Sequence, residues 1–278
     1  MGDTPLAWAA GNGHEEVVKI LLGHGDIDPN KPSEDGQTPL FKAACIGHEG
    51  IVKILLDRDD IDPDKPAMGG QTPLFWAAYN GHEGVVKMLL GRDDVNPNKL
   101  DGYGQTPIIW AAWNGHEGVV KILLSRGDID PNKQGEDGQT PLLKATWNGH
   151  EGVVKILLGR DDIDPDKPDS NGQTPLLRAA LSGNAGVVKM LLGRDDVNPN
   201  KLDGQGQTPI LWAAWNGHEG VVKMLLERDD VNPNGPEEGG PTPPGYAILN
   251  GHEGVAKILL ERDDVNPDKP DQDGQTLL

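Results

Sequence analysis

The chain has 278 residues, a formal net charge of −19, and a composition that is 36% hydrophobic and 4% aromatic. It has no run of about 18 apolar residues, which excludes a membrane-spanning helix. Its charge repels phosphate backbones, which argues against non-specific nucleic-acid binding and favours a basic partner.

Thr4, Thr38, Thr72, Thr106, Thr140, Thr174, Thr208, Thr242 and Thr276 recur every 34 residues, and all but the last precede proline. A fixed period of this length is the signature of a solenoid. The spacing predicts a single array over residues 1–278, with repeats at about 1–34, 35–68, 69–102, 103–136, 137–170, 171–204, 205–238 and 239–272 and a partial repeat at 273–278. Few aromatic residues suffice in such an array, because each repeat covers only its neighbours. The single cysteine, Cys45, can form no internal disulfide, and no charged start followed by an apolar stretch marks a signal peptide. Both fit a cytoplasmic, intracellular setting.

Within one repeat, residues 103–136, the elements follow in order. Thr106 caps a helix whose first turn takes Pro107, where no backbone N–H is needed. That helix is expected to run to about Asn114 and stop at Gly115. A second helix starts near Glu117, with Val119, Val120, Ile122, Leu123 and Leu124 inward and Lys121 outward. Glu117 and Lys121 form an i, i+4 pair in the favourable order, and Arg126 stands near the negative end. The remaining Asp, Asn, Pro and Gly residues form a turn or extended loop. Helices of two or three turns are marginal alone, so stacking must hold them. Repeat eight carries Pro244 and Gly245 where the others have two apolar residues. Glycine weakens a short helix, so this repeat is expected to be the loosest interior one. The ladder ends inside a ninth repeat and neither end has an obvious polar cap, which predicts a piece of a longer array.

The segments Gly-Gln-Thr-Pro-Leu-Phe-Trp-Ala-Ala (70–78) and Asn-Gly-His-Glu-Gly-Val-Val-Lys-Met-Leu-Leu (80–90) resemble the ankyrin repeat. The resemblance covers essentially the whole chain, and its narrower form is similar to long arrays in fungal multidomain proteins. It implies an ankyrin-type α-solenoid of stacked helix-turn-helix repeats with β-hairpin-like loops, a concave face lined by first helices and loop tips, and protein binding without catalysis. Three features depart from the pattern. The 34-residue period is one residue longer than usual, repeat eight is irregular, and the histidine expected after Thr-Pro-Leu is replaced by Ala7, Phe41, Phe75, Ile109, Leu143, Leu177, Leu211 and Gly245.

The candidates for chemistry reduce to scaffold. His14, His48, His82, His116, His150, His218 and His252 share one column, with Asn184 in the remaining repeat. Stacked repeats hold equivalent residues about 10 Å apart, too far to share a metal ion. The acidic loops, such as Asp60-Ile-Asp62-Pro-Asp64, resemble the start of a calcium loop, but lysine follows in seven of eight repeats. Repeat seven has Gly235 there, yet Pro241 stands at its closing-glutamate place, so turn chemistry explains these residues. Cys45 has no base beside it except His48, which is structural in the other repeats. The sequence therefore predicts no enzyme, no metal and no cofactor.

The variable positions carry the functional expectation. On the first helix, two columns fall opposite the Leu and Ala-Ala face. One reads Trp8, Lys42, Trp76, Trp110, Lys144, Arg178, Trp212 and Tyr246. The other reads Gly11, Cys45, Tyr79, Trp113, Trp147, Leu181, Trp215 and Leu249. All seven tryptophans lie in these columns. Aromatic and cationic residues are the types enriched at binding hot spots. The expected partner-binding residues are Trp76, Tyr79, Tyr103, Trp110, Trp113, Lys144, Trp147, Arg178, Trp212 and Trp215, with Asp35, Gly69, Asp137, Asn171 and Gln205 as the rest of the rim. Lys144 and Arg178 would offer charge to a partner carboxylate. Rings lying flat over neighbouring repeats to complete the core remain a second reading. The functional expectation is a scaffold that binds a protein or extended peptide on the concave face. The alternative is a structural spacer or an array that self-associates end to end.

Overall fold

The computed structural model describes residues 2–235 and 242–266. The chain divides at a repeat boundary into two compact units, residues 1–136 and 137–278. The first unit contains α1 (Pro5–Gly11) and α2 (Glu15–Leu22), α3 (Pro39–Ile46) and α4 (Glu49–Leu56), α5 (Pro73–Tyr79) and α6 (Glu83–Leu90), and α7 (Pro107–Trp113) and α8 (Glu117–Leu124). The second contains α9 (Pro141–Trp147) and α10 (Glu151–Leu158), α11 (Pro175–Ser182) and α12 (Ala185–Leu192), α13 (Pro209–Trp215) and α14 (Glu219–Leu226), and α15 (Pro243–Leu249) and α16 (Glu253–Leu260).

Each first helix begins as the sequence dictates. Proline occupies the first turn, and the preceding threonine hydroxyl accepts an orphan N–H, as in Phe41 N–H to Thr38 Oγ1 at 3.1 Å and Leu143 N–H to Thr140 Oγ1 at 3.2 Å. In α7 and α13 this bond is missing, and the hydroxyls of Thr106 and Thr208 are buried without a partner. Between the two helices of a repeat the chain reverses on a glycine with positive φ, for example Gly81 at 79°. A side chain at Gly81 would also strike the ring of His116 in the next repeat, 2.7 Å from its Nδ1.

Within each unit the helices form two layers, because first helices pack on first helices and second on second. The core lies between the layers. Leu74, Ala77, Ala78, Val85, Val86 and Leu89 of the third repeat are fully buried, and Leu176, Ala179, Ala180, Val187, Val188 and Leu191 are their counterparts in the sixth. Each such Leu or Val contributes about 1.5–3 kcal/mol over leaving it exposed. The Ala-Ala pair lets the backbones approach closely.

The loops reverse with little backbone pairing. Asp101 N–H reaches Gln105 O at 3.0 Å, and Gly102 N–H reaches Gly69 O of the preceding loop at 2.6 Å. In the second unit Asp203 N–H reaches Gln207 O at 3.0 Å and Gly204 N–H reaches Asn171 O at 2.8 Å. No strand forms among the described residues. Aspartate side chains accept further loop N–H groups, as Asp101 Oδ1 does from Tyr103 and Gln105.

Within each unit, side chains on recurrent columns staple neighbouring repeats together. Arg92 donates through Nη1 to Leu56 O at 2.9 Å, while its Nε and Nη2 hold Asp94. Arg126 and Arg228 do the same to Leu90 O and Leu192 O. The Arg92 hydrogen bond keeps the Asp94 carboxyl below its usual range. The histidine rings approach first-helix carbonyls of the preceding repeat: His116 Nε2 lies 2.9 Å from Tyr79 O, and His218 Nε2 lies 3.1 Å from Leu181 O. A carbonyl only accepts, so Nε2 carries the proton. Asn184 takes the same role through Nδ2, 3.0 Å from Thr146 O.

The acidic loops are engaged likewise. Asn30 Nδ2 donates to Asp60 O, and its Oδ1 accepts from Asp62 N–H. In repeat eight, α15 forms and Gly245 N–H reaches Thr242 Oγ1 at 3.2 Å. Pro241 and the partial repeat 273–278 lie outside the described residues.

Candidate interaction face

The two variable columns stand on the outer side of the first helices, and the structure resolves what each side chain does there. In the first unit the face is built from rings. Trp76 meets Phe41 edge-on at 6.3 Å and Phe75 at 5.4 Å, and Tyr79 lies 5.3 Å from Trp76 and 5.5 Å from Trp110. Trp76, Tyr79 and Trp110 are thus one half-buried aromatic network, each ring in the edge-on or tilted geometry that ring quadrupoles favour. Trp110 is further fixed by its indole N–H, which donates to Asp101 Oδ2 at 2.9 Å. Trp113 is half-buried at the end of α7. Tyr103 projects from the loop tip, 68% exposed.

The first unit also holds an open cleft of about 380 Å³ over α1, α3 and α5. Trp8, Phe41, Ile46 and Trp76 supply its apolar walls, with Lys42 and Cys45 beside them. Lys42 Nζ donates to Asp3 Oδ2 at 2.6 Å. Burial pushes the Cys45 thiol pKa up, against a weaker opposing hydrogen bond from Asn80.

In the second unit the first of these columns begins with two cations. Lys144 is buried and donates to Asp137 Oδ2 at 2.6 Å. Arg178 is buried, donates to Asp169 Oδ2 at 2.6 Å, and lays its guanidinium 4.1 Å from the centre of the Trp147 ring. Both cations are therefore neutralised internally, which narrows their expected role toward a partner carboxylate. Trp212 repeats the Trp110 arrangement, donating to Asp203 Oδ2 at 3.0 Å, and sits 6.1 Å from Trp215. Trp215 packs 4.3 Å from Tyr246. Along the loop tips, residues 170–173 and 203–205 border a polar recess of about 550 Å³, which includes the predicted rim residues Asn171 and Gln205.

Sequence reasoning passed over the acids beneath the column. Asp101, Asp169 and Asp203 each stand nine residues before a side-chain donor, Trp110, Arg178 or Trp212, and each accepts from it. Each also accepts loop N–H groups through its other oxygen, as Asp169 does from Asn171 and Gln173. The signal was present as a fixed nine-residue spacing between acid and donor.

No helix among the described residues is long and apolar enough to cross a membrane. A model of ankyrin repeats in three copies matches residues 1–67, 62–135, 94–169, 127–203, 162–237 and 193–273. The chain belongs to the ankyrin repeat family. The crystal structure of an ankyrin repeat protein, EF0377, is similar at 27% sequence identity and a TM-score of 0.64, over 68% of this chain and 97% of that one. No curated protein gives a significant sequence match. Ankyrin repeats are in general protein-interaction modules, and their fold is a scaffold without catalytic machinery.

Proposed function

We propose that the chain is a protein-interaction scaffold that binds a basic protein or extended peptide on the outer faces of its first helices. The observation that carries this reading is the exposure of large rings at the variable positions. Trp147 and Trp215 are each 39% exposed and Trp8 is 58% exposed, although aromatic residues make up only 4% of the chain. Rings held in place by neighbours and open on one side are suited to be anchors, because little entropy is lost when they are covered. Trp76, Tyr79, Trp110, Trp113 and Trp212 form the supporting layer, Tyr103 the rim, and Lys144 and Arg178 orient the surface through their internal acids. The net charge of −19 supports a basic partner.

A random peptide library selected on the full chain tests this. Lys- and Arg-rich peptides are expected to enrich, and the Trp147→Ala/Trp215→Ala variant is expected to lose them while its helical circular dichroism is retained. Enrichment that is indifferent to this variant and to loss of Trp8 would sink the site. A sedimentation coefficient rising with concentration would favour the self-associating array instead.

A further inference from the structure

We propose that the cleft over α1, α3 and α5 is an anchor pocket for a cationic peptide. The peptide sets one aliphatic side chain between Trp8, Phe41 and Trp76 and offers a backbone carbonyl to the Trp76 indole N–H. This rests on the scaffold reading and names a specific seat within it.

Three observations converge. First, the cleft exists because the second column reads Gly11 here, where the later repeats of the unit have Cys45, Tyr79 and Trp113. No collision demands that glycine: an added Cβ would lie 3.5 Å from Lys42, an ordinary contact.

Second, the indole N–H of Trp76 is buried without a hydrogen-bond partner. Its counterparts Trp110 and Trp212 donate to Asp101 and Asp203, nine residues earlier. The residue nine before Trp76 is Ala67. Buried donors are nearly always paired, so this wall of the cleft lacks an acceptor that the fold supplies in the sibling repeats. The proposed seat requires the indole to turn its N–H toward a carbonyl in the cleft.

Third, the electrostatics select the ligand. Lys42, the cation at the cleft, is already held by Asp3, which leaves a neutral oxygen as the favoured acceptor. Residues 1–68 carry 13 Asp and Glu against 6 Lys and Arg, which favours positive residues flanking the anchor.

The test titrates the capped tripeptide acetyl-Lys-Leu-Lys-amide into the ¹⁵N-labelled full chain and follows the indole N–H resonances. The Trp76 resonance is assigned by its loss in Trp76→Phe. It is expected to move saturably, while that of Trp212, bonded to Asp203, stays in place. Acetyl-Lys-Ala-Lys-amide should bind about tenfold more weakly, because it buries fewer methylenes. Acetyl-Glu-Leu-Glu-amide should also bind more weakly than the Lys-Leu-Lys probe. Gly11→Leu fills the cleft from the last residue of α1 and should abolish the response with circular dichroism unchanged. Ala67→Asp supplies the internal acceptor and should weaken binding about fivefold, the equivalent of one hydrogen bond. A Trp76 resonance that does not move, or equal affinity in Gly11→Leu and the parent, overturns the pocket. Library-selected peptides that still bind Gly11→Leu would overturn this seat and leave the scaffold reading standing. A library that yields no binder removes both.

Discussion

The first unit fills its variable column with three rings and one cation, Lys42, and the second fills it with two cations and two rings. Trp76 and Trp110 belong to a network with Phe41, Phe75 and Tyr79. Lys144 and Arg178 occupy the equivalent places and sink into Asp137 and Asp169. The backbone is indifferent to the exchange because each chemistry carries its own compensation. The acid beneath the column accepts from either chemistry, so the column varies while the acid stays. Asp101 serves an indole where Asp169 serves a guanidinium.

The sharpest way to break this comparison is to remove the acids. Asp169→Ala leaves a buried guanidinium without its counter-ion and is expected to cost about 3–5 kcal/mol. Asp101→Ala leaves an indole N–H unpaired and is expected to cost about 1–3 kcal/mol. Both variants lose the same loop hydrogen bonds, so the gap in guanidinium-chloride midpoint isolates the charge. Equal losses would refute the distinction. Arg178→Trp should change stability by less than about 1 kcal/mol, since Asp169 can accept from an indole as Asp203 does.

The histidine staples give the next largest contrast. Tyr79 O accepts from His116 and also from Asn114, whereas Leu181 O accepts from His218. His218→Ala should therefore cost about 1–3 kcal/mol and His116→Ala less, by thermal denaturation. His218→Asn should recover most of the loss, because Asn184 already fills that column.

Where the units are alike, they should respond alike. Asp64 and Asp166 replace the asparagine that occupies Asn30, Asn98 and Asn200, and Oδ1 of each is buried without a partner. The asparagines donate from that place to a carbonyl of the next repeat. Burial raises the pKa of both carboxyls above the ordinary aspartate value. A carboxyl raised in the folded state favours folding while protonated and opposes it once ionised. Asp64→Asn should thus stabilise by about 1 kcal/mol at neutral pH, and the gain should fade as pH falls through the raised value toward the unfolded one. A gain independent of pH would exclude this cause.

The smallest effect concerns glycine in the second helices. A Cβ at Gly118 would collide with the Glu83 carboxylate of the preceding repeat, whereas Gly220 has open space because Ala185 stands where that glutamate would be. Gly220→Ala should stabilise by about 0.5–1 kcal/mol, and Gly118→Ala by less.

The helices were legible almost to the residue, since Thr-Pro starts the first and a Gly-His turn, Gly-Asn in repeat six, starts the second. The two columns were legible as well, because helical periodicity separates them from the Ala-Ala face. The fate of Lys144 and Arg178 was not. A cation in an aromatic column reads as a docking group until Asp137 and Asp169 are seen to reach it. Those acids lie in loops rich in aspartate, where turn chemistry already accounts for such residues. The cleft at Trp8 and Trp76 was hidden for a related reason. The space depends on the missing side chain at Gly11 and its unpaired donor on the missing acid at Ala67, and a small residue in a helix or loop does not announce a space.

The arginine staple has one further consequence. Arg92 and Arg126 join neighbouring repeats through a main-chain carbonyl on one side and their own aspartate on the other. A main-chain carbonyl is present whatever the side chain, so the joint does not read the identity of the repeat it grips. Repeats become cassettes, and recombination can shuffle them without a new joint being devised. The order of residues along the outer face is then a string that unequal crossing-over can rewrite, lengthen or shorten without altering this joint.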